Sequence, residues 1–177
     1  MENQNSTNKR IVTGMFNDRE SAERAYNSVE SRGYGKDDVN VIMSDETRKK
    51  HFQDVAHPTE FGTKAMEGAG TGGAIGGAIG GIVAAVAAIG TSLLIPGLGL
   101  VIAGPLAAGL AGAGAGSITG GLVGALIGSG IPKERAVIYE EGLKNGRIVL
   151  TAYPRTDEDA KYIEQEWQAN KGEEIYG

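Results

Sequence analysis

From Gly68 to Pro132 the chain reads GAGTGGAIGGAIGGIVAAVAAIGTSLLIPGLGLVIAGPLAAGLAGAGAGSITGGLVGALIGSGIP, without one Asp, Glu, Lys, Arg or His. All 17 basic and 22 acidic residues therefore lie in the two flanking segments. Of the 29 glycines, 21 fall between Gly68 and Gly130, and no aromatic residue occurs between Phe61 and Tyr139. The glycines are in register. Gly68, Gly72, Gly76 and Gly80 recur every fourth residue, and Gly112, Gly116, Gly120, Gly124 and Gly128 repeat the pattern. That period places them along one slowly drifting stripe of a helix.

Glycine in an exposed helix costs about 1 kcal/mol relative to alanine, so such a stripe needs compensation. Close backbone approach between apolar helices supplies it, as in the small-xxx-small packing of membrane interfaces. Ile75, Ile79, Ile82, Val83, Val86 and Ile89 line the remaining faces of one arm, and Leu110, Ile118, Leu122, Val123, Leu126 and Ile127 those of the other. Pro96, Gly97 and Gly99 carry a turn signal between them. Residues 64–131 are thus expected to form a glycine-zipper helical hairpin. Its first arm, Gly68 to Ile95, would run roughly 42 Å, enough to cross about 30 Å of hydrocarbon. The second arm, Leu98 to Gly130, contains Pro105, which predicts a kink or a broken first turn. Lys64 precedes the stretch, Lys133 and Arg135 follow it, and the tip holds no cation. The positive-inside rule then predicts cytoplasmic flanks around a membrane hairpin. The competing reading buries the same helices against one another in a soluble oligomer.

Outward from this stretch, the flanks alternate in the manner of a mixed domain. Arg10 to Phe16 (RIVTGMF) and Val39 to Met43 (VNVIM) read as strands, with a helix between them. That helix starts at an Asn17-Asp18-Arg19-Glu20 capping box, buries Ala22, Ala25, Tyr26 and Val29, and stops at Arg32-Gly33. After the stretch, a short helix is expected from Pro132 to Asn145. A strand then follows from Arg147 to Tyr153 (RIVLTAY), with a helix capped by Thr156 that buries Ala160, Ile163 and Trp167. Glu174 to Tyr176 reads as a short final strand. Two β-α-β halves predict an α+β, ferredoxin-like split βαβ + βαβ domain carrying the hairpin as an insertion. The units are a disordered tail (1–9), the first half and a linker (10–63), the hairpin (64–131), and a helix plus the second half (132–177).

Composition also removes function classes. A net charge of −5 argues against nucleic acid as a partner. The absence of cysteine removes disulfides, thiolate catalysis and Cys-type zinc sites. Met1 to Arg10 has no apolar core, so no secretory signal is expected and a cytoplasmic origin follows; the sequon Asn5-Ser6-Thr7 is read as tail. Gly68-Ala69-Gly70-Thr71-Gly72-Gly73 fits G-x-G-x-x-G, but no strand precedes it and no acidic residue follows before Glu134. His51 and His57, six residues apart, fall on different faces of a helix and make no joint metal site. Arg48-Lys49-Lys50 reads as a solvated helix turn. The adjacent pairs Glu140-Glu141 and Glu173-Glu174 do not face a common point. Ser117 and Thr119 have no base beside them. No catalytic residue, metal site or cofactor site is expected.

Ser21-Ala22-Glu23 to Arg32-Gly33-Tyr34 and Asp37 to Arg48, with Gly130-Ile131-Pro132, Tyr139 to Leu143 and Gly146 to Thr151, resemble a bacterial family. It is the general stress family with the 17M-like, heat-induced stress protein domain, some members of which carry a glycine-rich segment between their halves. The resemblance implies a stress-associated bacterial protein and no established catalytic activity, and it carries over no site residues. The combined expectation is a non-enzymatic stress protein held in the inner membrane by its hairpin, both polar flanks cytoplasmic, self-associating through it. A soluble homo-oligomeric scaffold or compartment is the alternative, and a small-molecule-sensing regulatory module the third reading, with no small-molecule substrate assigned.

Overall fold

Alternation in the two RIV-type segments and in VNVIM becomes the centre of a sheet. The computed structural model describes residues 10–52, 82, 93–95, 99–107 and 121–177. In chain order these form β1 (Val12–Phe16), α1 (Arg19–Glu30), β2 (Val39–Ser44), α2 (Asp45–Phe52), β3 (Leu93–Ile95), β4 (Leu100–Ala103), α3 (Gly121–Gly128), α4 (Lys133–Lys144), β5 (Ile148–Ala152), α5 (Asp157–Ala169) and β6 (Glu173–Tyr176). Six strands make one sheet in the order β3-β4-β2-β5-β1-β6, each antiparallel to its neighbours. The fold is α+β.

Both faces of this sheet are covered, which explains why its central strands are buried at every position but Ser44 at the end of β2. On the first face, Val12, Phe16, Val41, Met43, Ile148 and Leu150 pack under Ala22, Ala25, Tyr26 and Val29 of α1 and Ile163 and Trp167 of α5. Phe52 of α2 and Ile82 join the same cluster. Ile82 is tied to α1 a second time, its backbone N–H donating to Glu23 Oε2 at 3.1 Å. On the second face, Met15, Ile42, Leu100, Ile102 and Val149 lie under Leu122 and Leu126 of α3 and Ala136, Tyr139 and Leu143 of α4. The helix starts are set by local chemistry. Asp18, one residue past the predicted Asn17, caps α1 by accepting from the Ser21 N–H at 2.8 Å. Thr156 caps α5 through the Asp159 N–H at 3.1 Å. Pro132 opens α4, as its fixed φ favours.

The apolar stretch departs from the expected membrane hairpin. Leu93–Ile95 and Leu100–Ala103 are strands, not helix, and they extend the sheet beyond β2. Leu100 and Ile102 face one helix layer while Val101 and Ala103 face the other, so this run is apolar throughout because both of its faces are covered. A short continuous apolar run does not separate a buried strand from a helix by periodicity. Gly104 at φ +104° and Gly121 at φ +58° leave the helical region, and α3 spans only Gly121–Gly128. The arm Leu98 to Gly130 is therefore not one helix. Among the described residues no helix is long and apolar enough to cross a membrane, which overturns the transmembrane anchor and the inner-membrane location. Of α2 the sequence suggests only a solvated helix turn at Arg48-Lys49-Lys50, not the full Asp45–Phe52. Its mean hydropathy is low and it buries only Thr47 and Phe52, so no periodic stripe announces it.

Four carboxylates link this fold to pH. Asp18 is held below its ordinary value of 3.8 by the Ser21 N–H, Asp45 by Lys49 and Arg48, Asp157 by Arg10, and Asp159 by the Tyr34 hydroxyl. A folded pKa below the unfolded one contributes stability that is present above pH 3.8 and lost as pH falls through the folded values. Glu30, raised above 4.5 chiefly by burial, acts the other way: its contribution is present below pH 4.5 and lost as pH rises through its folded value. Of these five carboxylates, four act in the same direction. The thermal midpoint, followed by circular dichroism, is expected to fall between about pH 5 and pH 3. A midpoint that holds or rises over that interval would contradict the assignment.

Candidate functional site

The second face of the sheet carries a buried polar row. Alternation in Val39-Asn40-Val41-Ile42 turns Asn40 toward that face with Ile42, and the register sets Asn40 opposite Thr151 and Thr151 opposite Thr13. All three are almost fully buried. Each is satisfied locally, as buried polar groups must be. Asn40 Oδ1 accepts from the Leu106 N–H at 2.8 Å, and its Nδ2 donates to the Tyr153 hydroxyl oxygen at 3.1 Å. Thr13 Oγ1 donates to the Leu150 carbonyl at 3.1 Å and sits 3.3 Å from Thr151 Oγ1. At one end Tyr153 lies beside Ser129, whose hydroxyl donates to the Leu126 carbonyl at 2.7 Å. At the other end the Tyr139 hydroxyl donates to the Glu174 carbonyl at 2.6 Å.

Burial raises the Tyr153 phenol above 10 against the opposing effect of Asn40 and Ser129, and pushes the Tyr139 phenol up to about 12. Both therefore stay protonated near neutrality. The row offers hydroxyls and an amide but no base, so it can exchange hydrogen bonds and cannot activate a nucleophile. It holds the sheet to its second helix layer. Replacing Asn40 with leucine strips partners from the buried Leu106 N–H and the Tyr153 hydroxyl. The expected loss is about 2–3 kcal/mol in urea unfolding. A loss under about 0.5 kcal/mol would mean that these groups find other partners.

A second cluster ties the first helix layer together where β2 begins and β5 ends. The Tyr34 hydroxyl donates to Asp159 Oδ2 at 2.7 Å and accepts from the Arg155 N–H at 2.8 Å. The Arg155 guanidinium lies 4.6 Å above the Tyr34 ring and pairs with Asp38 at 2.9 Å. Arg32 lies 4.1 Å above the Tyr162 ring and 3.5 Å from Asp159. Each arginine here meets a carboxylate of this chain, so the cluster joins loops and leaves no surplus positive charge for an anion.

Only some of the residues singled out from sequence are among the described residues, and those do not converge. Gly68, Gly72, Gly76, Gly80, Gly112, Gly116 and Gly120 lie outside the described residues, as do Pro96, Gly97, Lys64 and His57. Gly124 and Gly128 are on α3, and among the described residues a Cβ added at either would meet nothing within 4 Å beyond its chain neighbours and its own helix backbone. Gly99 takes φ +60° in the turn between β3 and β4. Lys133 is the exposed first residue of α4, and Arg135 forms an ion pair with Glu174 of β6. His51 is exposed at the end of α2, its carbonyl accepting from Arg19 at 2.7 Å. Among the described residues no group of three His, Cys, Asp or Glu could hold a metal ion. Asn40, Tyr153 and Gly104 were missed. The available signal was an asparagine inside an otherwise apolar strand, which marks a buried hydrogen-bonding demand.

Fold and site together define an α+β protein whose antiparallel sheet lies between two helix layers, with polar groups committed to joining those layers. No family model, no curated protein and no solved structure matches the chain.

Proposed function

We propose that this chain is a non-enzymatic structural protein that self-associates, built on a ferredoxin-like split βαβ + βαβ core. The strand order β2-β5-β1-β6 supports the core assignment, with β1 and β2 both antiparallel to β5 and with α1 and α5 packed on the same face. β3 and β4 extend that core beyond β2, and α3 contributes to its second helix layer. The observation that carries self-association is the apolar surface left on this second helix layer. Ile127 of α3 and Val137 and Ile138 of α4 are 42%, 47% and 37% exposed, on the helix layer that also carries Gly124 and Gly128. Scattered apolar residues are ordinary on surfaces, whereas three large ones on two packed helices, next to an uncharged stretch, fit an interface.

Light scattering coupled to size exclusion over a dilution series tests the reading. The expected mass exceeds the single-chain 18.3 kDa and falls on dilution. A mass of one chain at every concentration would overturn it. The bacterial stress association rests on the sequence resemblance alone. An unchanged cellular level after heat or salt challenge would remove that part and leave self-association standing.

A further inference from the structure

We propose that β6 is an ion-latched strap, which closes the β1 edge of the sheet at low ionic strength and releases it as salt rises, while the rest of the sheet stays paired. The inference is independent of the self-association proposed above. It comes from how differently β6 is held from the other strands.

β1 meets β5 in five consecutive pairs, from Val12 with Ala152 to Phe16 with Ile148. With β6 it pairs at Thr13 with Tyr176 and Met15 with Glu173, and the register slips between them. Two side-chain-bearing residues of this segment take left-handed backbone, Lys171 at φ +63° and Glu174 at φ +50°. Such a conformation is strained and persists only where surrounding contacts impose it. β6 is also the shallowest central-edge strand of its face: Glu173 and Glu174 are exposed, and Ile175 and Tyr176 are half-buried.

Side chains supply much of the hold. Glu173 accepts from Asn17 Nδ2 at 2.6 Å and pairs with Arg147 at 2.9 Å. Glu174 pairs with Arg135 of α4, and its carbonyl accepts from the Tyr139 hydroxyl at 2.6 Å. Ile175 packs at the margin of the first-face core, its Cγ1 3.2 Å from where a Cβ on Gly14 would stand. The four side chains of the two ion pairs are 33–46% exposed, so dissolved salt screens them. β1 and β5 are buried at every position, and their backbone pairing carries no such sensitivity. Release of β6 frees the N–H and C=O groups of β1 that point away from β5, and an unpaired edge of this kind accepts another strand.

Hydrogen exchange of the full-length chain, read by mass spectrometry, tests the latch at about 0.01 M and about 1 M sodium chloride, between which the screening length falls from about 30 Å to about 3 Å. Two exposed ion pairs together shift an opening equilibrium by about 2- to 30-fold. Exchange across 173–177 is expected to accelerate by that factor at high salt, with 148–152 of β5 unchanged. Arg135→Gln, which removes one cation without altering β6, is expected to show part of the acceleration already at low salt and to gain less from added salt. A chain end that is merely frayed would exchange at the same rate at both salt concentrations. That result overturns the latch, as does acceleration of β5 together with β6 or an Arg135→Gln chain that behaves as wild type.

Discussion

Replacing Trp167 with alanine is expected to cost about 3–5 kcal/mol of unfolding free energy, a large share of the about 5–15 kcal/mol typical of a domain. Trp167 is fully buried and meets Phe16 edge to face, with ring centroids 5.7 Å apart and planes at 82°. The ring sits against the β1 backbone, since a Cβ built on Gly14 would come within 3.1 Å of it. Its Nε1 donates to the Ala25 carbonyl at 3.0 Å, which joins α5 to α1. Truncation opens a cavity where two helices and the sheet meet and leaves that carbonyl without its donor. Strand and helices cannot close the gap without giving up their own register, so little relaxation is expected. Trp167→Phe keeps most of the volume and loses the donor, and is expected to cost about 1–3 kcal/mol. Urea unfolding of both variants checks the ordering. A Trp167→Ala loss below about 1 kcal/mol would show that the site collapses freely.

The second large effect is expected at Gly104, where the chain leaves β4. Its φ of +104° is outside the range that side chains favour, and an added Cβ would stand 2.3 Å from the Val39 carbonyl oxygen and 3.0 Å from Asn40 Cα. Both obstacles are backbone of β2, a central strand buried on both sides, and neither yields by a rotamer change. Gly104→Ala is expected to cost about 2–4 kcal/mol, combining about 1–3 kcal/mol of backbone strain with the displacement of β4 from β2. Gly142 is the informative contrast. A Cβ there would come 2.0 Å from Met15 Sδ, the movable part of a flexible side chain, and alanine gains about 1 kcal/mol of helix propensity at that position. Gly142→Ala is therefore expected to be much milder, although the nominal approach is closer. Paired thermal and urea unfolding decides the point, and equal losses at the two sites would refute the distinction between backbone and side-chain obstruction.

Much of the mixed domain was legible from sequence because its signals are local. Arg10 to Phe16, Val39 to Met43 and Arg147 to Tyr153 alternate or carry branched residues, and each contains a strand. The capping of α5 by Thr156 and the opening of α4 at Pro132 depend on side chains within three residues of the helix start. The polar row was less legible. Thr13, Asn40 and Thr151 lie far apart in the chain, and only strand pairing sets them side by side.

By itself, the sequence determined that one long stretch is uncharged and glycine-patterned, and that the flanks hold strands and amphipathic helices. Charge content and short-range periodicity are properties of the covalent chain. Only the tertiary structure decided what surrounds the apolar residues of that stretch. Leu100–Ala103 is as apolar as a membrane segment, yet its residues divide between two protein cores, Leu100 and Ile102 in the one with α3 and α4, and Val101 and Ala103 in the one that includes Phe52 of α2. Hydrophobicity measures the preference for leaving water, and it is the same whether lipid or a protein interior receives the side chain. The choice between them rested on the backbone of β2, whose open hydrogen-bonding edge takes up β4.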